Sequence, residues 1–401
     1  MKLLTVGSRV PYPVRDGGNV RSDGVLRELG RRHEVSYLCR ADEPRPDAER
    51  HLKQFCGSVE IVVDPFRLGV GERLRAVLGG YPFGLITPRD VFFRRVGDVL
   101  RGDAFDLVYC VGVDTARLAV AALARAPVIW DVCDCTSRYY AREADAERRP
   151  WRRLWYRLQA ARYRGVERAV FGRDLTVFAG SPSEAAAFRS AVGPWRCRVE
   201  IVRAGVDAVA PAAPAPGPPR LVFTGTLSYG PNADAVRYLC REIFPRVRSH
   251  HPQARLQIVG GGAAAPLLAA CRQVDSVDVL GFVPDLFEVL RAATIFVCPM
   301  RQGTGIKIKL LDAMACGLPI VATPLALEGL AEAEDGRHLR VAATADAFVG
   351  AVLELLRNGD RARQLGARAR ELTGRFTWTV LGEDVDRYCR AEVARRRASV
   401  G

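Results

Sequence analysis

Short apolar runs alternate with longer amphipathic stretches along this chain, and they do so twice over. Residues 2–7 (KLLTVG), 33–39 (HEVSYLC), 59–63 (VEIVV), 105–111 (FDLVYCV), 126–132 (APVIWDV) and 175–180 (LTVFAG) are strand-sized runs suited to burial on both faces. Helical spacing fills the gaps: Val20, Val25, Leu26 and Leu29 share a face behind Asn19, a plausible N-cap, and Pro182 fits a first helical position. The alternation resumes at 220–225 (RLVFTG), 254–262 (ARLQIVGGG), 277–283 (VDVLGFV), 294–299 (TIFVCP) and 319–323 (PIVAT). Asn232 reads as the cap of a helix running to about Phe244. Strand–helix alternation of this kind predicts parallel sheets, hence two doubly wound α/β domains. Between the halves, AVAPAAPAPGPPR (208–220) cannot build a core and reads as a semi-rigid spacer. From about Asp346 onward the pattern is helical, ending in an amphipathic helix with a basic tail.

The stretch 298–323, CPMRQGTGIKIKLLDAMACGLPIVAT, concentrates the candidate chemistry. Gly303 and Gly305 bracket Thr304, so backbone can approach a ligand closely there. A helix is expected from about Ile306, with Lys307 and Lys309 in its first turns, where cations oppose the helix dipole. A bound anion would relieve that conflict by meeting free N–H groups and ammonium groups together. The two lysines diverge by about 200°, so one of them faces the ligand; Asp312, three residues past Lys309, shares its face. In doubly wound domains ligands meet the carboxyl ends of strands. That rule places Gly17, Gly18 and Arg21 at one such end, and Asp131 and Asp134 at another. The glycine pair fits either a ligand contact or a tight turn, and the two acids fit either a cleft or the cap of the next helix.

Composition adds a net charge of +14 on 401 residues. Eleven arginines against four acids fall between Arg138 and Arg173, with Trp151, Trp155, Tyr156 and Tyr163 interleaved. Such a helix suits an anionic membrane surface, or equally a solvated helix over the domain core. No nucleic-acid-binding signature accompanies the charge. No apolar run approaches a membrane span, and the N-terminus reads as a first strand rather than a signal peptide. The eleven cysteines are dispersed in apolar runs, and the one CxC, Cys133 and Cys135, lacks a second ligand pair; reduced thiols in a cytoplasmic protein are expected. Gly260-x-Gly262-x-x-Ala265 imitates a dinucleotide fingerprint, but it does not open its domain and Pro266 interrupts the helix. Asp384 and Asp386 diverge on a helix and are not read as a metal site. All five histidines (His33, His51, His250, His251, His338) read as solvated loop or helix-edge residues.

PYPVRDGGNVRS, FTGTLSYGPNADAVRYL, LQIVGGG, VLGFVPDLFEVLRAATIFVCP and the 298–323 stretch together resemble the retaining, group 1 glycosyltransferases of the GT-B fold, and within that family are similar to bacterial sugar transferases of polysaccharide and natural-product pathways. The resemblance implies two Rossmann-like domains facing across a cleft: 1–207 for the acceptor, a linker at 208–219, and 220–378 for the nucleotide-sugar donor. A C-terminal helix, 379–401, would return to the first domain. It further implies metal-independent, cofactor-free transfer with retention from a UDP- or GDP-linked sugar to a glycan, lipid-linked or small-molecule acceptor. The family's paired glutamates fall on Thr304 and Asp312, so a carboxylate is missing at the first. Gly225 and Thr226 would lie at the donor, Gly305 and Ile306 would offer backbone N–H groups, and the backbone of Val283 would meet the base. Arg301 with Lys307 or Lys309 would stand in for an absent basic pair and stabilise the departing diphosphate. The family's cleft histidine is missing, and Asp131 or Asp134 occupies its neighbourhood. Two further readings stay open: a nucleotide-sugar-binding protein without transferase activity, and a nucleotide-sugar epimerase on the same fold.

Overall fold

The computed structural model describes residues 1–14, 16–64, 82, 85–86, 90–192, 195–213 and 217–398. Arg15 of the expected glycine loop and 214–216 of the expected linker lie outside the described residues. The chain divides into two compact units, Met1–Arg203 with Trp378–Gly401, and Ala204–Thr377. Val206, just before the proline-rich stretch, and Ala212, within it, already belong to the second unit: the Val206 N–H donates to Phe376 O (2.7 Å) and the Ala212 N–H to Cys316 O (2.6 Å).

The first unit is built on a seven-stranded sheet: β1 (Lys2–Gly7), β2 (Glu34–Ala41), β3 (Ser58–Val63), β4 (Leu107–Val111), β5 (Val128–Cys133), β6 (Thr176–Ala179) and β7 (Arg198–Ile201). Their order is 3-2-1-4-5-6-7 and every pairing is parallel. The second unit carries β8 (Arg220–Thr224), β9 (Arg255–Val259), β10 (Val277–Gly281), β11 (Ile295–Cys298), β12 (Ile320–Ala322) and β13 (Arg340–Val341), in the order 10-9-8-11-12-13, again all parallel. The strand order reverses between β1 and β4 in one sheet and between β8 and β11 in the other. Each reversal opens a crevice at the carboxyl ends of those strands.

Helix starts depart from expectation in three places. The helix Gly17–Gly30 is capped by Asp16, whose side chain accepts from the Asn19 N–H, so Asn19 is not the cap. The helix beginning the second unit runs Gly230–Tyr238 and continues through a π turn, Leu239–Ile243, into Phe244–His250; Asn232 lies inside it. The helix in the candidate stretch begins at Ile308 with Lys307 as its N-cap residue, later than expected.

The final helix, Trp378–Ala398, packs within the first unit. Leu381, Val385, Cys389 and Val393 join Val25, Leu26 and Leu29 in one buried cluster. A Cβ at Gly24 would fall 2.5 Å from the Trp378 ring, so only glycine admits this approach. Within the basic region two helices, Thr136–Ala146 and Pro150–Phe171, pack against each other. Among the described residues no helix is long and apolar enough to cross a membrane. All eleven cysteines are free thiols and all but Cys133 are buried.

Candidate functional site

The crevice of the second sheet is shaped by loops laced through their backbones. Gly225 N–H donates to Val259 O (2.9 Å), Leu227 N–H to Gly261 O (2.8 Å), and Gly260 N–H to Gly281 O (2.7 Å). These bonds tie the carboxyl ends of β8, β9 and β10 together. Gly225 itself sits at φ 150°, and a Cβ there would lie 2.5 Å from Lys309 Nζ and 2.6 Å from Asn232 Nδ2. Thr226 follows on the same loop, and Val283 follows β10, half-buried against the unit's core.

Lys309 reaches this crevice from the helix Ile308–Ala315. Its ammonium donates to Asn232 Oδ1 (2.6 Å) and stands 4.3 Å from the centre of the Phe223 ring. Asn232 is fixed in turn by donating Nδ2–H to Thr226 O (2.9 Å). Burial pulls the Lys309 pKa down to about 8, and the nearby Lys307 pushes it the same way. Asp312, one turn further on, is pushed up to about 7 by burial and by Asp207, with Lys309 opposing. Its carboxylate makes no side-chain hydrogen bond among the described residues. This helix start therefore holds a cation and an acid side by side, each brought by burial to titrate within about a unit of neutral pH.

Lys307 and Arg301 are engaged differently. Lys307 is buried, and its ammonium donates to Thr304 O (2.9 Å) and Gly305 O (2.7 Å), so it staples the glycine loop. Gly303 and Gly305 adopt φ 107° and 70°, the left-handed backbone that lets the loop turn back on Lys307. The N–H groups of Gly305 and Ile306 have no partner among the described residues. Arg301 forms a bidentate pair with Asp234, at 3.1 and 2.8 Å, and stacks on Tyr238 with 4.1 Å between guanidinium and ring centre. Of the three cations in this stretch, Arg301 is held by a carboxylate and Lys307 by loop carbonyls, while Lys309 is held by the Asn232 amide. The sequence missed Asn232 and Asp234 as partners; the signal was there in three cations gathered with one acid between them.

In the first unit, Asp131 does not offer an unengaged carboxylate. It is buried at 2% exposure and accepts from Arg21 Nε (3.2 and 3.3 Å), Arg21 Nη2 (3.0 Å), Tyr109 Oη (2.6 Å) and Cys133 Sγ (3.3 Å). Nor do Asp131 and Asp134 cap the helix Thr136–Ala146. That task falls to two buried glutamates the sequence did not single out: Glu184 accepts from Cys135 N–H (2.7 Å) and Glu167 from Ser137 N–H (3.0 Å). Asp134 is half-buried just past β5. Gly17 and Gly18 are exposed in the first turn of their helix, with Arg9 paired to the capping Asp16 (3.5 Å). At the crevice between β1 and β4 stands Asp114, whose carboxyl is raised by burial and held down by Arg9 and by a hydrogen bond with Ser8.

The histidines are not uniformly solvated. His33 and His338 are buried, and His51 pairs with Asp23 at 2.7 Å. Asp384 and Asp386 are each engaged by an arginine, Arg387 and Arg390. Among the described residues no three His, Cys, Asp or Glu side chains converge as a metal site.

Two parallel, doubly wound sheets with crevices at their switch points define the GT-B class, and the whole chain superposes on solved members of it. Sucrose-phosphate synthase of Thermosynechococcus elongatus matches with a TM-score of 0.70 at 16% identity, covering 98% of this chain and 100% of that one. HepE of Anabaena, solved with UDP and glucose, matches at 0.68 and 16% identity, covering 96% and 98%. Residues 218–358, all within the second unit, match the family described as glycosyl transferases group 1. A phosphatidyl-myo-inositol mannosyltransferase of Propionibacterium freudenreichii subsp. shermanii is 32% identical over 149 residues, which span 35% of this chain and 36% of that protein. The chain thus matches little more than a third of the length of this curated relative.

Proposed function

We propose that the protein is a glycosyltransferase that moves a sugar from a UDP- or GDP-linked donor to a hydroxyl of a glycan, glycolipid or natural-product acceptor. The observation that carries this reading is the pairing of Lys309 and Asp312 on one helix face beside the open N–H groups of Gly305 and Ile306. Lys309 would neutralise the charge that grows on the departing diphosphate, the largest electrostatic demand of such a transfer. The two N–H groups would hold the sugar–phosphate linkage, and Asp312 would accept from ribose hydroxyls. Lys307 serves by keeping the loop closed rather than by meeting the phosphates. The group 1 match over 218–358 and the UDP and glucose bound by HepE support a nucleotide-sugar donor.

Transfer proceeds with retention and without a metal in this reading. The bond from the anomeric carbon to the phosphate oxygen breaks as the bond to the acceptor oxygen forms on the same face. The acceptor proton passes to the leaving phosphate oxygen, so no protein nucleophile is required. The engagement of Asp131 by three neighbours is consistent with this, and leaves Asp114 as an acid able to orient an acceptor.

Lys309→Ala should weaken UDP or GDP binding roughly tenfold or more by calorimetry, since a charge-assisted contact contributes about 1.5–3 kcal/mol. An unchanged Kd for both nucleotides would remove the assignment. Turnover should persist in chelator, and the product should keep the donor's anomeric configuration by NMR. A second reading, binding of nucleotide sugars without transfer, draws on Thr304, which supplies no carboxylate to the sugar. Slow hydrolysis of a nucleotide sugar by the purified protein separates the two, because a pure binder leaves the donor intact.

A further inference from the structure

The helix Pro150–Phe171 buries one side and leaves another bare. Gln159, Ala160, Tyr163 and Glu167 are buried and mark the side turned to the domain. Trp151, Leu154, Trp155 and Leu158 are instead 65%, 68%, 42% and 45% exposed. Their i, i+3, i+4, i+7 spacing gathers them into one stripe about 100° wide. Soluble surfaces scatter large apolar residues singly, so four of them within two turns mark a contact face. Arg152 and Arg157 fall about 60° to either side of the stripe, at 100° per residue. Both are exposed, and Arg152 lies 5.2 Å from the centre of the Trp151 ring. Arg148, Arg149 and Arg153 add to the same end of the helix.

An apolar stripe edged by arginines on both sides selects its partner. Hydrocarbon must meet the stripe while anions meet the flanks, and a bilayer carrying anionic headgroups offers both at once. Tryptophans suit the boundary between headgroups and acyl chains. We propose that this face docks the protein on an anionic membrane surface. Trp151, Leu154, Trp155 and Leu158 enter the interface, and Arg152 and Arg157 meet lipid phosphates. The inference goes beyond the transfer reading and does not depend on it; joined to that reading, it points to an acceptor presented by the membrane.

The test is cosedimentation of the full chain with phosphatidylcholine vesicles, with and without phosphatidylglycerol. Wild-type protein should partition to the phosphatidylglycerol vesicles and stay largely in solution with the neutral ones. Trp151→Gln with Leu154→Gln should reduce partitioning roughly tenfold or more, from the apolar area withheld. Arg152→Glu with Arg157→Glu changes four charges and should reduce it roughly a hundredfold or more, at about 1 kcal/mol per charge near the surface. Indifference of the wild type to phosphatidylglycerol, or wild-type partitioning by both variants, overturns the proposal. So does a wild-type dimer that the Trp151/Leu154 variant turns into a monomer, since a second copy would then own the face. Calorimetric binding of UDP or GDP in solution should be the same in both variants, so a failure of donor binding is told apart from a failure of docking.

Discussion

Lys309 meets two opposed demands. Without ligand its ammonium is partly stripped of water, which holds its pKa near 8; a bound diphosphate restores its charge. Binding therefore takes up a proton once the free amine has begun to lose it. Nucleotide affinity should be level below about pH 8 and fall above it, by up to tenfold per unit, until the pKa of the bound form is passed. Calorimetry across that range checks this, and a flat profile would show that Lys309 does not touch the phosphates. Asp312 carries the converse strain. Its folded pKa, near 7, is raised above the ordinary 3.8, so the fold binds a proton more tightly than the unfolded chain does. Stability from this group is full at low pH and is lost as pH rises from about 4 to 7. Asp312→Asn should then stabilise the ligand-free protein above pH 7 by roughly 1 kcal/mol, after allowing for solvent screening of a half-buried group, while weakening nucleotide binding. Thermal unfolding with and without UDP reads both effects.

At the scale of elements, the buried pair between the helix Gly17–Gly30 and β5 joins Arg21 to Asp131. Removing one charge leaves the other buried and uncompensated, which costs about 3–5 kcal/mol. Asp131→Asn should accordingly lower the unfolding midpoint strongly while turnover of the protein still folded stays near normal. A collapse of turnover with an unchanged midpoint would return Asp131 to the reaction. Apart from the edge strands β7 and β13, which the sequence reading did not find, the described strands and the glycine loop of 298–323 were legible in the sequence because parallel strands buried on both faces read as unbroken apolar runs. Where helices begin was less legible. Asp16 and Asn19 are equally good caps by residue type, and only the course of the chain before Gly17 decides between them. The roles of charged residues were least legible, because their partners are remote: Arg21 and Asp131 are 110 positions apart, and Arg301 and Asp234 are 67. Lys307 and Lys309 could be told apart by angle but not by which one the loop carbonyls would claim.

For the molecule as a whole, the chain leaves its first unit after Arg203 and comes back to it only at Trp378. The first unit's cluster of Leu3, Val25, Leu26 and Leu29 is completed by Trp378, Leu381 and Val385 from that returning helix. A fragment of residues 1–203 should therefore keep helical signal but lack cooperative unfolding and bind a hydrophobic dye. A fragment of 204–377, whose core cluster draws only on its own residues, should unfold cooperatively and still bind nucleotide. Cooperative unfolding of the first fragment would show that the returning helix is dispensable. The same discontinuity sets an order of events on the ribosome. Domains usually finish in the sequence in which they are made, yet here the second can close while the first still waits for residues 378–398 to emerge. For that interval the nascent chain carries a finished second unit behind an unfinished first unit with apolar surface exposed. Substitutions along 378–398 should then register first as poor yield from cells, well before they register in the behaviour of the protein that survives.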